Sequence, residues 1–309
     1  MRAAPAEEQA ADQRKKRLTA DLLLLLVAAI WGSAFVAQRV AAAQTGVYLF
    51  NGLRFLLAAA ALAPLVYFQV LGPRRLPGVG RRTAPGVLLA GLLLFGGAAL
   101  QQAGLQYTTA GNAGFITGLY VVLIPIFLAF GWRKRVRLAI WGAALLSVAG
   151  MFLLSTGGQL QKMNLGDVLV LIGAFFWALH VILVGGLAQN MDALHLSVGQ
   201  YVVCGLASLL VGLAVEQESL AALPDVWWTI AYTGLLSVGV GYTLQVVAQR
   251  TAPPADAAIL LSLEAVFAAF SGWLLLGEIL SPVQIVGCGV MLSGMLLSQL
   301  DVLVFKESA

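Results

Sequence analysis

The stretch DLLLLLVAAIW at residues 21–31 decides the fold, because DVLVLIGAFFW at residues 167–177 repeats its pattern 146 positions later. In each stretch an aspartate is followed ten residues later by a tryptophan, with only apolar residues and glycine between them. Apolar runs without alternation are typical of membrane-spanning helices and not of β-barrel strands. The pair therefore predicts a membrane protein built from two related halves.

Other residues extend this internal similarity along the chain. At the same offset Arg54-Phe55 corresponds to Gln200-Tyr201. At an offset of 143, Gly91, Gly96, Gln102, Gln106 and Thr108 correspond to Gly234, Gly239, Gln245, Gln249 and Thr251. We therefore divide the chain into a disordered N-terminal segment (1–17), a first repeat (18–155), a second repeat (165–303) and a short tail (304–309).

Composition fixes the class of protein. Hydrophobic residues make up 60% of the chain and charged residues only 10%, against about 25% charged residues in soluble domains. Apolar segments of about 20 residues, the length that crosses a bilayer, lie near residues 20–40, 47–70, 85–106, 110–131, 137–155, 166–188, 194–215, 226–249, 255–276 and 282–303. The predicted fold class is an all-α integral membrane protein with ten transmembrane helices.

The number of helices in each repeat sets their relative orientation. Five is an odd number, so the second repeat enters the membrane from the opposite face and the two five-helix repeats are inverted. With the N-terminus in the cytoplasm, fifteen of the eighteen Lys and Arg residues fall on that side, among them Arg14–Arg17 and Arg133–Arg137. Because cytoplasmic loops carry an excess of Lys and Arg, we expect both termini to be cytoplasmic. The net charge of +4 is then a sign of topology, not of nucleic-acid binding.

Several short motifs follow one another along the chain: Trp31-Gly32-Ser33-Ala34-Phe35, Leu53-Arg54-Phe55, Thr108-Thr109-Ala110-Gly111-Asn112-Ala113-Gly114-Phe115 leading to Pro125, Leu263-Glu264-Ala265 and Leu276-Gly277-Glu278. In their order and spacing they resemble the drug/metabolite transporter superfamily and in particular its bacterial EamA-type ten-helix branch. The resemblance implies a secondary transporter of the bacterial inner membrane, with two inverted repeats around a central cavity. It implies export of amino acids or other small metabolites as the most frequent activity.

Two departures from the family pattern are visible. The family commonly has proline after the glutamate of the ninth helix, where this chain has Ala265, so a kink in that helix lacks its usual cause. The first half often has a leucine-glycine-glutamate turn where this chain has the basic Trp132–Arg135.

Three ionisable residues fall well inside predicted helices: Arg54, His180 and Glu264. A charge at the centre of a membrane helix costs about 2.5–3.5 kcal/mol, so each is a candidate functional residue. In one interpretation Arg54 and Glu264 form a structural ion bridge. In the other, Arg54 receives a substrate carboxylate and Glu264 a substrate ammonium group or a coupling proton. A carboxyl group removed from water holds a proton more readily, and His180 is a second candidate for proton coupling.

Aromatic and amide residues complete the predicted substrate site. Trp31 and Trp177 hold equivalent positions near the midplane, where anchoring at the membrane interface does not explain them. Gln102 and Gln245 also correspond between the repeats and predict polar stripes on the third and eighth helices. Hydrogen bonds between helices alone explain a single stripe, but two equivalent stripes together with two tryptophans indicate a face that lines a polar pathway. We add Tyr120, Gln200 and Tyr242 to the candidate substrate-binding residues.

The sequence contains none of the common catalytic or cofactor-binding motifs, which reduces the number of possible functions. There is no nucleotide-binding motif, no HExxH sequence and no nucleophile elbow, and Cys204 and Cys288 match no metal or redox spacing. We expect no catalytic residues, no metal, no cofactor and no obligatory protein partner. The partners are a small-molecule substrate, the lipid bilayer and, in a coupled mechanism, protons. A facilitator without ion coupling, efflux of drugs or cations and, remotely, a membrane-embedded enzyme remain open alternatives.

Overall fold

A computed structural model of the chain describes residues 6–70, 78–159, 163–276 and 279–304, and all regular secondary structure within these ranges is helical. Ten helical segments are long and apolar enough to cross a membrane. The predicted all-α fold with ten transmembrane helices is therefore confirmed. Gly277 and Glu278 of the Leu276-Gly277-Glu278 motif lie outside the described residues, as do Arg74, Lys162 and Lys306, three of the eighteen Lys and Arg residues of the chain.

The first five spans follow in order along the chain. The first three and the fifth are single helices, whereas the fourth consists of two α-helical pieces and a π-helical end. Their bounds are Ala6–Ala42, Val47–Val70, Ala84–Gly104, then Ala110–Gly118 with Tyr120–Ile126 and Phe127–Gly131, and Leu138–Thr156.

The second five spans repeat this order. The sixth, seventh and tenth are single helices, the eighth contains a π-helical stretch, and the ninth is made of two pieces. Their bounds are Leu165–Leu187, Ala193–Val215, then Leu223–Tyr232 with Thr233–Tyr242 and Thr243–Ala248, then Pro254–Ser262 with Glu264–Leu276, and Pro282–Val304. A short 3₁₀ turn, Gln217–Ala222, precedes the eighth span.

The spans pack across the boundary between the two halves. The second span lies along the seventh, the third along the sixth, and the fifth along the tenth. The first span packs against the eighth and the ninth. Helices of opposite repeats are therefore neighbours throughout, as expected for two inverted repeats that share one core.

The ten spans run between two ends of the bundle, which we call the basic end and the opposite end. The basic end contains Arg17, the segment Arg133–Arg137 and Arg250; the opposite end contains the turns at residues 43–46, 105–109 and 216–222. At the opposite end both oxygens of the Glu216 carboxylate accept hydrogen bonds from backbone N–H groups at the start of the second span, with the Tyr48 and Leu49 nitrogens each 2.9 Å from Oε2. A carboxylate is favourable there because the first N–H groups of a helix have no partner within it.

The N-terminus corrects a prediction. Residues 6–17 are not disordered but form the beginning of the first helix, which starts at Ala6. Asp21 consequently lies several turns inside the helix, where its carboxylate pairs with Arg17 at 3.0 Å instead of capping a helix start. Asp167, by contrast, does lie in the first turn of its helix and forms a capping box with Asn164.

The fourth and ninth spans are interrupted at equivalent places. Regular α-helix ends at Gly118 and resumes at Tyr120, and it ends at Ser262 and resumes at Glu264. The intervening residues, Leu119 and Leu263, have nearly the same backbone angles and lie 144 positions apart. The ninth span is thus interrupted although Ala265 replaces the proline of the family, so proline is not the cause.

Candidate functional site

A small cavity lies at the centre of the bundle, between the two repeats. The first half lines it with Trp31, Phe35, Gln38, Gln101, Thr117 and Tyr120. The second half lines it with Trp177, His180, Val181, Tyr242, Gln245 and Glu264. Its volume is about 40 Å³, and because a water molecule needs roughly 10–15 Å³, it has room for about three waters. The space at the centre is therefore smaller than a metabolite.

Three aromatic rings form one wall of the cavity. The Tyr242 ring lies between the two tryptophans, with its centroid 4.6 Å from that of Trp31 and 5.9 Å from that of Trp177. The Tyr242 and Trp177 rings are nearly parallel, at 18°. Trp31 Nε1 donates a hydrogen bond to the carbonyl oxygen of Ser237 at 3.1 Å, within the π-helical stretch of the eighth span. A π-helical stretch alters the regular hydrogen bonding of helix carbonyl groups. Here the carbonyl oxygen of Ser237 accepts the hydrogen bond that fixes the Trp31 ring.

Each tryptophan lies against a glycine of the other repeat. A Cβ atom at Gly241 would be 2.6 Å from Trp31 Nε1, and one at Gly97 would be 2.9 Å from the Trp177 ring. The two glycines are 144 positions apart. The first span of each repeat therefore places its tryptophan on the third span of the other, and only a residue without a side chain leaves room for the ring.

Tyr120 and Glu264 meet on another side of the cavity, each directly after its helix interruption. Tyr120 Oη donates a hydrogen bond to Glu264 Oε1 at 3.4 Å. Glu264 is only 3% exposed, and it forms no ion pair within the described part of the chain. A buried carboxyl group without a cation is costly to ionise, so this position is suited to a carboxyl that exchanges a proton or meets a cationic group.

His180 completes the cavity on the sixth span. Its Nε2 lies 2.8 Å from Gln200 Oε1; with that oxygen as acceptor, Nε2 carries the proton and Nδ1 has a free lone pair. Nδ1 of His180, Nε1 of Trp177 and Oε1 of Gln245 are buried without a hydrogen-bond partner among the described residues. Because buried polar atoms are usually paired, these two acceptors and one donor are available to water or to a ligand.

Arg54 corrects the ion-bridge interpretation. Its guanidinium donates to Asn51 Oδ1 at 2.9 Å through Nε and to Gln38 Oε1 at 3.0 Å through Nη1. It also lies about 5 Å from the ring centroids of Phe50 and Phe55. No ion pair joins Arg54 to Glu264 among the described residues, and Arg54 is behind the cavity wall formed by Gln38. It can orient Gln38, but it does not face the space where a substrate carboxylate would sit.

The other predicted site residues fall into two groups, those on the cavity wall and those behind it. The cavity wall includes Trp31, Tyr120, Trp177, His180, Tyr242, Gln245 and Glu264. Gln102 instead donates to the carbonyl oxygen of Gln38 at 3.0 Å, and Gln200 supports His180 from behind. Gln102 therefore makes the hydrogen bond between helices that is the alternative explanation of its stripe.

Phe35 and Thr117 belong to the wall but were absent from the predicted site. Phe35 lies one helical turn after Trp31, a spacing that places both side chains on one face. Thr117 accepts a hydrogen bond from Gln101 Nε2 at 2.9 Å. The periodicity from Trp31 could have identified Phe35, whereas no sequence signal distinguishes Thr117.

The basic end below the cavity is held together by charges. The Asp256 carboxylate at the start of the ninth span lies 2.6 Å from Arg137 and 3.5 Å from Arg17, and Arg17 also contacts Asp21. These four residues, the basic-end network, connect the first, fifth and ninth spans. Asp256 is buried, so its charge depends on these partners.

Comparison with known proteins identifies the family. A model of the EamA-like transporter family matches residues 18–156 and matches a second time at residues 164–300. The chain belongs to the EamA-like transporter family. It is therefore a multi-pass membrane protein and a transporter with a small-molecule substrate, which points away from an enzyme.

Curated relatives of this EamA-family protein are similar over nearly their whole length. An "Uncharacterized transporter" of Archaeoglobus fulgidus is 30% identical over 300 residues, which cover 96% of this chain and 91% of the relative. The "Uncharacterized inner membrane transporter YedA" of Escherichia coli K12 is 27% identical, with 89% of each chain covered. A solved crystal structure overlays with a TM-score of 0.76 at 18% identity, covering 92% of this chain and 98% of that one, and it supports the fold alone.

Proposed function

We propose that this EamA-family protein is a secondary active transporter that exports amino acids or related small metabolites across the bacterial inner membrane by alternating access. The observation that carries the proposal is the small cavity between the inverted repeats, where the buried Glu264 carboxyl group has no cation beside it among the described residues. Transporters of this architecture bind substrate near the midplane at the repeat interface, where helices are interrupted. Both termini are cytoplasmic in this proposal, because the basic end then obeys the distribution of Lys and Arg.

In the proposed mechanism Glu264 is the coupling group. Its carboxyl group takes a proton from one side of the membrane and releases it when the ammonium group of a substrate enters the cavity. The aromatic wall of Trp31, Tyr242 and Trp177 then packs on the apolar part of the substrate or on its cationic group. Competition between a proton and a cationic group for one carboxylate links proton movement to substrate movement.

Efflux of cationic compounds is the second candidate function, and the charge of the wall favours it. Glu264 is the acidic residue of the cavity, and no Lys or Arg occurs among its lining residues. A cation with an aromatic body therefore fits the wall without needing a partner for a carboxylate. A facilitator without ion coupling has the same fold and differs only in its response to a pH gradient.

Transport by purified protein in liposomes tests the proposal. Labelled amino acids are presented with and without an imposed pH gradient, and cationic aromatic dyes are presented in parallel. We expect the gradient to drive accumulation of at least one amino acid. Flux that ignores the gradient would support a facilitator, gradient-driven flux of dyes alone would support cation efflux, and absence of flux for both classes would contradict both proposals.

A further inference from the structure

A second, larger cavity opens near the opposite end of the bundle and meets the central cavity at Phe35. We name it the vestibule; its walls include Phe35 and Arg39 from the first span, Gly114 from the fourth, Ser155 from the fifth and Ala268 from the ninth. Phe35 lines both cavities and is only 3% exposed. The ring of Phe35 is thus the partition between the central site and the vestibule.

The two cavities differ in size by about an order of magnitude. The vestibule has a volume of about 490 Å³, against about 40 Å³ for the central cavity. Sites for small organic molecules span roughly 300–1,000 Å³. In this conformation the vestibule, and not the central cavity, has room for a metabolite.

One face of the first span runs through both cavities. Trp31, Phe35 and Arg39 follow one another at intervals of four residues, so their side chains lie on the same side of the helix. Trp31 belongs to the central cavity, Phe35 to both cavities and Arg39 to the vestibule. A molecule that leaves the central site along this face passes Phe35 and reaches Arg39 next.

Among the described residues that line the vestibule, Arg39 is the one with a charged side chain. Nη1 of its guanidinium donates to the carbonyl oxygen of Leu105 at 2.6 Å, and no carboxylate pairs with it in residues 6–70, 78–159, 163–276 and 279–304. Gln284 is committed to other partners: it donates to the Leu154 carbonyl oxygen and accepts from the Ser281 N–H group. An arginine that is fixed at one edge and has no anion beside it among the described residues is suited to receive a carboxylate.

We propose that the vestibule is an exit subsite for the substrate, in which Arg39 binds the carboxylate after the substrate has passed Phe35. The inference rests on the proposed amino-acid export and specifies it, because it assigns the carboxylate to Arg39 and leaves the ammonium group to Glu264. The central cavity and the vestibule then recognise the two ends of one zwitterion in succession. Arg54, which faces neither cavity, has no part in this recognition.

Binding to the vestibule can be measured without transport. In protein carrying Cys204→Ala and Cys288→Ala, a cysteine is introduced by Ser155→Cys and modified with a membrane-impermeant thiol reagent. Phenylalanine and leucine are compared with their carboxamides as protectants. A second cysteine protein, Gln44→Cys, serves as control, because Gln44 is an exposed residue at the same end and outside the vestibule.

We expect the amino acids to protect the cysteine of Ser155→Cys at concentrations at least tenfold lower than their carboxamides do. Arg39→Gln should remove this difference, Arg39→Lys should preserve most of it, and Gln44→Cys should not be protected. Equal protection by acid and carboxamide, or full protection in Arg39→Gln, would overturn the proposal. Protection that depends on added anionic phospholipid and not on amino acid would also overturn it, since the vestibule would then be a lipid site.

The liposome assay separates this inference from the function on which it rests. If amino acids are transported but protection does not depend on Arg39, the exit subsite is wrong and amino-acid transport stands. If amino acids protect through Arg39 but are not transported, the subsite stands and the proposed transport of amino acids is wrong.

Discussion

Tyr120 and Glu264 occupy equivalent positions in the two repeats, but only Glu264 has the carboxyl group that the proposed coupling to protons requires. Each follows a leucine at which its helix is interrupted, and the two side chains meet across the central cavity. His180 shows the same asymmetry, because its equivalent 146 positions earlier is Ala34. The first repeat thus contributes shape and hydrogen bonding, whereas the ionisable carboxyl and imidazole groups of the cavity wall come from the second.

The contacts that both repeats share are those that shape the cavity wall. The reciprocal contacts of Trp31 with Gly241 and of Trp177 with Gly97 follow the symmetry closely. Duplication therefore explains the architecture, and divergence at a few positions explains the chemistry.

The largest effect is expected from Glu264→Gln, which gives the second repeat a side chain without a carboxyl group at the position where the first has Tyr120. A glutamine keeps the size of the side chain but holds no exchangeable proton, so accumulation driven by a pH gradient should be lost entirely. Transport down a substrate gradient should persist. Uptake by proteoliposomes measures both, with Asp225→Asn as control because Asp225 is an exposed carboxylate at the start of the eighth span. Gradient-driven accumulation that survives in Glu264→Gln would contradict the coupling role.

The next largest effect is expected at the two glycines that contact Trp31 and Trp177 and are related by the repeat symmetry. Gly97→Ala and Gly241→Ala should each destabilise the protein by about 1–3 kcal/mol, since a Cβ atom would press on a tryptophan ring in a packed core. Gly289→Ala is the matched control: nothing lies within 4 Å of an added Cβ there, and alanine in a helix is favoured by roughly 0.5–1 kcal/mol over glycine. Unfolding of purified protein in detergent measures these changes. A large effect in one repeat only would show that the two tryptophan sites are not equivalent.

The two ends of the bundle allow a third comparison. Met163 stands at the position in the second repeat that corresponds to Arg17, so the pairing of Arg17 with Asp21 is not repeated by Met163 and Asp167 at the other end. Asp256→Asn should weaken closure of the basic end, and a shift of about 1 kcal/mol would raise access to the central cavity about fivefold. Labelling of the cysteine in Thr117→Cys, in vesicles of both orientations, measures that access from each end.

An exposed ion pair provides the control for this experiment. Asp12 and Lys16 are paired on the surface of the first helix with both side chains more than half exposed, and such pairs contribute little. Asp12→Asn should leave labelling unchanged. Equal labelling in Asp256→Asn and Asp12→Asn would show that the network does not hold the basic end closed.

The smallest effect is expected from Tyr120→Phe, which removes the hydrogen bond to Glu264 and keeps the ring. A hydrogen bond contributes about 0.5–1.5 kcal/mol, so gradient-driven uptake should fall about two- to tenfold. Tyr232→Phe is a suitable control, because the Tyr232 hydroxyl bonds Ser33 Oγ at 2.6 Å and does not line the cavity. A loss as complete as that of Glu264→Gln would mean that Tyr120 is itself part of the proton path.

The sequence predicts the fold well because lipid imposes strong constraints on it. Long apolar segments and the repeated Asp21–Trp31 pattern are sufficient for ten helices in two inverted repeats. That Trp31, Trp177 and Glu264 line the central cavity is predictable, because a large aromatic or ionisable group at the midplane is costly to place against lipid.

The remaining features of the site depend on contacts that sequence does not display. These helices are apolar on nearly every face, so periodicity does not reveal which side of the second span carries Arg54, and its partners Gln38 and Asn51 come only from the packed structure. Gln102 and Gln245 match in sequence, but one bonds a neighbouring backbone and the other lines the cavity. The interruption at Leu263 has no glycine or proline at that residue to announce it.

The most direct test of the account is to measure whether substrate movement moves protons. Proteoliposomes with a trapped pH indicator and no initial pH gradient are given an outward gradient of a transported amino acid. The account predicts that substrate efflux is accompanied by acidification of the interior, and that Glu264→Gln shows efflux without this pH change. Substrate efflux from the unmodified protein at constant internal pH would contradict coupling through Glu264.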